Sequence, residues 1–90
     1  MRTFSRELKA INKIRKELNI GRALFCLPKG KCDSPRFCVV ARALHGGVFS
    51  MGGPEFGYRV EIGALSYPLP LILSRFVDRF DLARYPELIA

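Results

Sequence analysis

The sequence contains few of the residues on which enzymes build catalytic sites. Its 90 residues include one histidine, His45, and three cysteines, Cys26, Cys32 and Cys38. A Cys–His nucleophile pair needs the thiol held against the imidazole and a third group that orients the base. Nothing in the sequence indicates that arrangement, because His45 adjoins a Gly-Gly pair and the nearest cysteine is seven residues away. We therefore expect a protein that is not an enzyme.

The same four side chains are also ligand types for zinc. Structural zinc sites usually bring their ligands in close pairs such as C-x2-C, whereas the gaps here are five, five and six residues. An odd number of cysteines, with no sign of secretion, indicates reduced thiols in a cytoplasmic protein. We expect no metal ion, no disulfide and no cofactor.

Nucleotide-binding glycine motifs and long apolar segments are also missing. The glycines form neither G-x-G-x-x-G after a strand nor a lysine-ended phosphate loop, so they indicate turns. No run approaches the ~20 apolar residues of a membrane span. The early charges are not followed by the apolar segment of a signal peptide. We therefore expect no membrane partner.

Acidic residues are scarce, and their scarcity is uneven along the chain. There are 8 Asp or Glu against 15 Lys or Arg, which gives a net charge of +7. Residues 1–45 hold eleven cations and three acids, a net +8, whereas residues 46–90 hold four cations and five acids, a net −1. Such asymmetry indicates a surface for an anionic partner. The alternative is that the surplus charge only keeps a small protein soluble.

Residues 4–18 carry the clearest pattern in the chain, that of an amphipathic helix. Apolar residues recur at steps of three and four, which places them on one face: Phe4, Leu8, Ile11, Ile14 and Leu18. Cations recur at the same steps about half a turn away: Arg2, Arg6, Lys9, Lys13 and Lys16. We expect the apolar face to be buried and the cations to be offered to a partner.

Short strands are predicted over the middle of the chain. We expect them at residues 22–27, 36–44, 48–51 and 56–65, with a loop at 28–35 and turns at 46–47 and 52–54. The connections are too short for helical crossovers, so the sheet should be an antiparallel meander of three to four strands. In this prediction Cys38, Val40 and Leu44 lie on a strand face that the helices leave uncovered.

A second helix is predicted after Tyr67-Pro68, with Pro70 in its first turn. Its apolar stripe consists of Leu69, Ile72, Leu73, Phe76 and Phe80. Its polar side consists of Ser74, Arg75, Asp78 and Arg79. The predicted fold is a single α+β domain over residues 1–90, in two layers, with the N-terminal and C-terminal helices packed on one face of the sheet.

The basic residues are the strongest functional signal in the sequence. Cations on the first helix, in the 28–35 loop and just after it can contact an anionic surface without reading a sequence. The predicted partner-binding set is Arg6, Lys9, Lys13, Lys16, Lys29, Lys31, Arg36 and Arg42.

Two kinds of acidic macromolecule fit this set, a protein with an acidic surface and the backbone of RNA or DNA. The mean hydropathy of +0.10 is high for a domain with a polar surface. Ten of the fifteen cations are arginine, a residue enriched at protein interfaces. We therefore expect an inhibitor or adaptor that binds a protein, of the small kind that mobile elements encode, with nucleic-acid binding as the alternative. Homodimerisation is left open.

Overall fold

Three α-helices and three β-strands form the regular structure of residues 4–52 and 56–90, the part of the chain that the computed structural model describes. In chain order they are α1 (Ser5–Glu17), α2 (Val39–Leu44), β1 (Gly47–Ser50), β2 (Tyr58–Ile62), β3 (Leu65–Pro68) and α3 (Leu71–Asp81), followed by a 3₁₀-helix at Pro86–Leu88. The α+β class predicted from the sequence is confirmed.

The first helix forms where its periodicity predicts it. Ile11 and Ile14 are buried in the core, and Glu7 lies in the first turn, where a negative charge favours the helix dipole. The helix ends at Leu18, whose N–H donates to the carbonyl of Ile14 at 2.9 Å. One apolar stripe is therefore sufficient to define both the length and the buried side of α1.

The sheet is the predicted antiparallel meander, with the strand order β1-β2-β3. Val48 pairs with Val60, which in turn pairs with Tyr67. These three side chains share one face, which we call the inner face, because side chains at paired positions lie on the same side of a sheet. Phe49 and Arg59 form a neighbouring pair on the opposite, outer face.

Both terminal helices cover the inner face, as predicted. The Tyr58 hydroxyl donates to the Asp78 carboxylate of α3 at 2.6 Å. The Tyr67 hydroxyl donates to the Glu17 carboxylate of α1 at 2.7 Å. α2 contacts α1 as well as β1 and β2. The sequence did not predict this third helix.

The segment at 22–27, predicted as a strand, is irregular. The Asn12 side chain of α1 accepts a hydrogen bond from the Leu24 N–H at 2.8 Å and donates to the Leu24 carbonyl at 3.0 Å. A buried or half-buried backbone group must find some partner. Here the partner is a side chain of the preceding helix, so no neighbouring strand is needed.

The strand prediction at 36–44 is wrong, because this segment contains helix α2. All residues of α2 except Arg42 are buried. A short apolar run that is buried on all sides shows no periodicity that distinguishes a strand from a helix. The Cys38 sulfur accepts the Ala41 N–H at 3.4 Å and caps the helix. His45, with φ 59, ends it. Because Cys38, Val40 and Leu44 are all buried, none of the three offers an apolar contact to a partner, contrary to the prediction.

The predicted strand at 56–65 is shorter in the structure, and β3 is a strand that the sequence did not predict. β2 ends at Ile62 and β3 begins at Leu65, with a tight turn at Gly63, whose φ of +60 suits a residue without a Cβ. The glycine pair at 46–47 was predicted as a hairpin turn but does not form one, because Gly46 connects α2 to β1 and Gly47 begins the strand. The turn predicted at 52–54 falls mostly in 53–55, outside the described residues.

Ser74 was predicted on the polar side of the last helix, but it is buried. Its hydroxyl accepts the Tyr58 N–H at 3.1 Å. Asp78, predicted on the same polar side, is half-buried and also holds Tyr58. Two polar residues of α3 therefore fasten the helix to the first residue of β2.

Candidate anion-binding surface

Four of the predicted binding residues lie together on the solvent side of α1. Arg6, Lys9, Lys13 and Lys16 are all exposed, opposite the buried isoleucines of the same helix. We call these four residues the α1 basic face. Arg2, predicted to begin the same row, lies outside the described residues.

No carboxylate neutralises the α1 basic face within residues 4–52 and 56–90. The ion pair found there is Arg59–Glu61, at 2.9 Å on the outer face of the sheet. Glu17, the acid next to Lys16, accepts its hydrogen bond from Tyr67. The four cations therefore remain available to an anionic partner.

An open depression of about 850 Å³ follows the α1 basic face. All four cations line it, and no acidic residue does. Apolar atoms of Ala10, Ala23 and Ile72 also line it. The surface thus combines a row of positive charges with patches from which a partner can exclude water.

Arg15 is the cation whose role the sequence analysis missed. It is buried, and its Nε and Nη2 donate to the Arg22 carbonyl at 3.0 and 2.9 Å, while Nη1 donates to the Ala43 carbonyl. The Ala43 carbonyl is one of the last four of α2, which have no partner within the helix. A sequence signal was present, because Arg15 lies four residues after Ile11 and three before Leu18, within the apolar stripe.

A second group of predicted residues lies around Phe37 and is separate in sequence from α1. The Lys31 ammonium and the Arg42 guanidinium carbon are 5.9 and 5.8 Å from the centre of the Phe37 ring. Arg36, also exposed, lines a depression of about 510 Å³ together with Phe37, Arg42 and His45. We call Lys31, Arg36, Phe37 and Arg42 the Phe37 group.

Lys29 is exposed on the loop and lines neither depression. The eight predicted residues are therefore divided by the structure into four on α1, three around Phe37 and one isolated lysine. The sequence predicted the eight charges as one set. It could not predict this division, which depends on 36–44 being a turn and a helix.

The cysteines have distinct environments. Cys26 is exposed, and Cys32 is half-buried with its sulfur 3.0 Å from the Phe80 carbonyl, to which the thiol donates. Burial raises the pKa of the Cys38 thiol, which keeps this helix-capping group protonated. Within the described ranges no three His, Cys, Asp or Glu side chains are arranged to hold a metal ion.

The hydrogen bond from Tyr58 to Asp78 gives a testable titration. This bond to a carboxylate, together with desolvation, raises the pKa of Tyr58 to about 12. A group whose pKa is raised in the folded state adds stability below its ordinary pKa near 10, and this stability is lost as the pH rises through 12. The hydrogen bond to Glu17 raises the pKa of Tyr67 as well, so two tyrosines titrate late. We expect absorbance titration to show a last step near pH 12 that disappears in Tyr58→Phe and moves towards pH 10 in Asp78→Ala. A last step near pH 12 that is unchanged in Tyr58→Phe contradicts the assignment.

Comparison with protein-family models, curated proteins and solved structures found no match to this chain. No helix among residues 4–52 and 56–90 is both long enough and apolar enough to cross a lipid bilayer.

Proposed function

We propose that the protein is a small, non-catalytic inhibitor or adaptor that docks its α1 basic face on an acidic surface of a partner protein. The observation that carries the proposal is the row of four exposed cations, none of which forms an ion pair within the described residues, on a helix whose other side is buried in the core. A single-sign row of this kind attracts an oppositely charged surface before contact and orients the approach.

The apolar lining of the same depression favours a protein as the partner. Protein interfaces combine a polar rim with contacts that exclude water. Ala10, Ala23 and Ile72 lie among the cations and can supply such contacts. A partner with one or a few apolar side chains among its carboxylates fits this surface in both charge and polarity.

The proposal is tested by reversing three of the four charges, in the triple variant Lys9→Glu, Lys13→Glu and Lys16→Glu. These side chains are exposed, so the fold should persist. We expect the association rate with the partner to fall by about 10- to 1000-fold at low salt, and the loss to shrink as salt rises. The partner is isolated by pull-down from the native host after nuclease treatment, and rates are measured by surface plasmon resonance.

A matched control comes from the less basic half of the chain. Arg75 is exposed and lines neither of the depressions that Arg6 lines, whereas Arg79 and Arg84 lie beside Arg6. The single variant Arg75→Glu is therefore compared with Lys13→Glu, which makes the same change in net charge. We expect this control to keep most of the binding, because the effect should be local to α1. A triple α1 variant with native circular dichroism that binds like wild type would remove the α1 basic face from the mechanism.

A nucleic-acid backbone is the second candidate for the same face. It is favoured by the helical spacing of the four cations, because side chains three and four residues apart are neighbours and can reach successive phosphates. Capture that is lost on nuclease treatment supports this candidate. The logarithm of the affinity should then fall linearly with the logarithm of the salt concentration, with little dependence on base sequence.

A further inference from the structure

Phe37 is a large apolar side chain that the fold leaves 52% exposed. Its backbone is nevertheless held firmly, because its carbonyl accepts the Lys31 N–H at 2.8 Å and its N–H donates to the Ser34 carbonyl at 3.3 Å. The ring is therefore presented to solvent from a hydrogen-bonded turn. An exposed aromatic ring held in place in this way has a low entropic cost of binding.

The surroundings of Phe37 are cationic. The positive groups of Lys31 and Arg42 lie over the ring, at 5.9 and 5.8 Å from its centre. Arg36 and His45 line the adjoining depression, whose other lining residues are Ala41 and Gly46. No acidic residue lines this depression, which is shallow and open to solvent.

An aromatic face beside several cations is the arrangement that binds single-stranded nucleic acid. Bases stack on the ring regardless of their identity, and neighbouring cations contact the phosphates. A duplex does not fit the ring as well, because its bases already stack on one another and hide their faces. We infer that the Phe37 group is a contact site for single-stranded RNA or DNA, in which one base takes the place of a cation over the Phe37 ring and the flanking phosphates bind Lys31, Arg36 and Arg42.

A protein partner matches this group less well. Phe37 and Ala41 offer a small apolar area, and covering them with apolar side chains would desolvate three cations without compensation. The site uses none of the α1 residues. It therefore goes beyond the proposed function and is tested separately from it.

The test uses a short fluorescein-labelled oligothymidylate and fluorescence anisotropy at low salt. Stacking contributes ~1–3 kcal/mol per base, so we expect Phe37→Ala to weaken binding by roughly 5- to 100-fold. Phe37→Leu should weaken it similarly, because leucine retains the apolar character but has no aromatic face. Phe37→Trp should bind at least as tightly as wild type. The salt dependence should stay the same in Phe37→Ala and become shallower when Arg36 and Arg42 are replaced by glutamine.

Phe25→Ala is the matched control, because Phe25 is 100% exposed and lines neither depression. It should bind the oligonucleotide like wild type, and circular dichroism should show that every variant is folded. Phe37→Leu with unchanged affinity overturns the inference, as does wild-type protein that binds a duplex of the same length more tightly. Poly-glutamate that binds in a Phe37-dependent way, without oligothymidylate binding, assigns the group to a protein partner and also overturns it.

Discussion

Phe76→Ala is expected to lower the free energy of unfolding by about 3–5 kcal/mol, which is the usual cost of removing a buried phenyl ring. Phe76 is 1% exposed. Its ring stacks on that of Tyr85 at 5.1 Å between centres and meets the edge of Phe4 at 5.9 Å. It also lies 6.3 Å from the centre of Phe80. The substitution therefore leaves a cavity where α1, α3 and the C-terminal segment meet.

Ile11→Ala, on the facing side of α1, is expected to cost about 2–5 kcal/mol for the same reason. Equilibrium urea unfolding measures both effects. Leu71→Ala is the control, because Leu71 is 63% exposed and belongs to the same helix as Phe76. That control should change the stability by less than about 0.5 kcal/mol. Losses below about 0.5 kcal/mol for both Phe76→Ala and Ile11→Ala would show that the two stripes do not form the core.

Arg15→Ala is expected to lower the free energy of unfolding by about 2–5 kcal/mol. The substitution removes three hydrogen bonds from a charged donor and leaves the carbonyls of Arg22 and Ala43 without them. Ala43 is buried, and a buried acceptor that loses its donor costs ~1–3 kcal/mol, whereas Arg22 is exposed and water can replace part of its loss. The substitution also removes a positive charge from the C-terminal end of α2, where it favours the helix dipole.

Two further variants separate this structural role from a simple loss of charge. Arg15→Lys keeps the charge, but an ammonium group lacks the planar set of N–H donors with which the guanidinium reaches both carbonyls. We therefore expect this variant to remain clearly destabilised. Lys16→Ala removes the adjacent, exposed cation and should change the stability by less than about 0.5 kcal/mol. If Arg15→Ala unfolds at the same urea concentration as Lys16→Ala, the hydrogen bonds of Arg15 do not stabilise the fold.

Helical spacing predicted one part of the candidate site, and it did not predict the other part. Lys9, Lys13 and Lys16 could be placed on one exposed face from helical spacing alone, because a helix that buries one stripe must present the opposite one. The relation of Arg36 and Arg42 to Phe37 could not be predicted. It requires the segment to be a turn followed by a helix, whereas strand alternation puts Phe37 on the face opposite Arg36 and Arg42.

The sequence by itself determined the elements whose apolar residues recur with a clear period or whose ends are marked by turn residues. α1 and α3 follow from apolar residues at steps of three and four, and the antiparallel order of neighbouring strands follows from connections too short for a helical crossover. These features depend on interactions between residues close in sequence, so they can be read without knowledge of the rest of the chain.

Only the tertiary structure decided which short apolar run would become a helix and which polar groups would be buried. The run at Val39–Leu44 is apolar on nearly all sides, and its contacts with α1 and the sheet select the helix. Arg15 and Ser74 are buried because carbonyls and an N–H distant in sequence need partners there. A buried polar group needs a hydrogen-bond partner, which can come from any part of the chain. These hydrogen bonds therefore become necessary only once the elements are packed together.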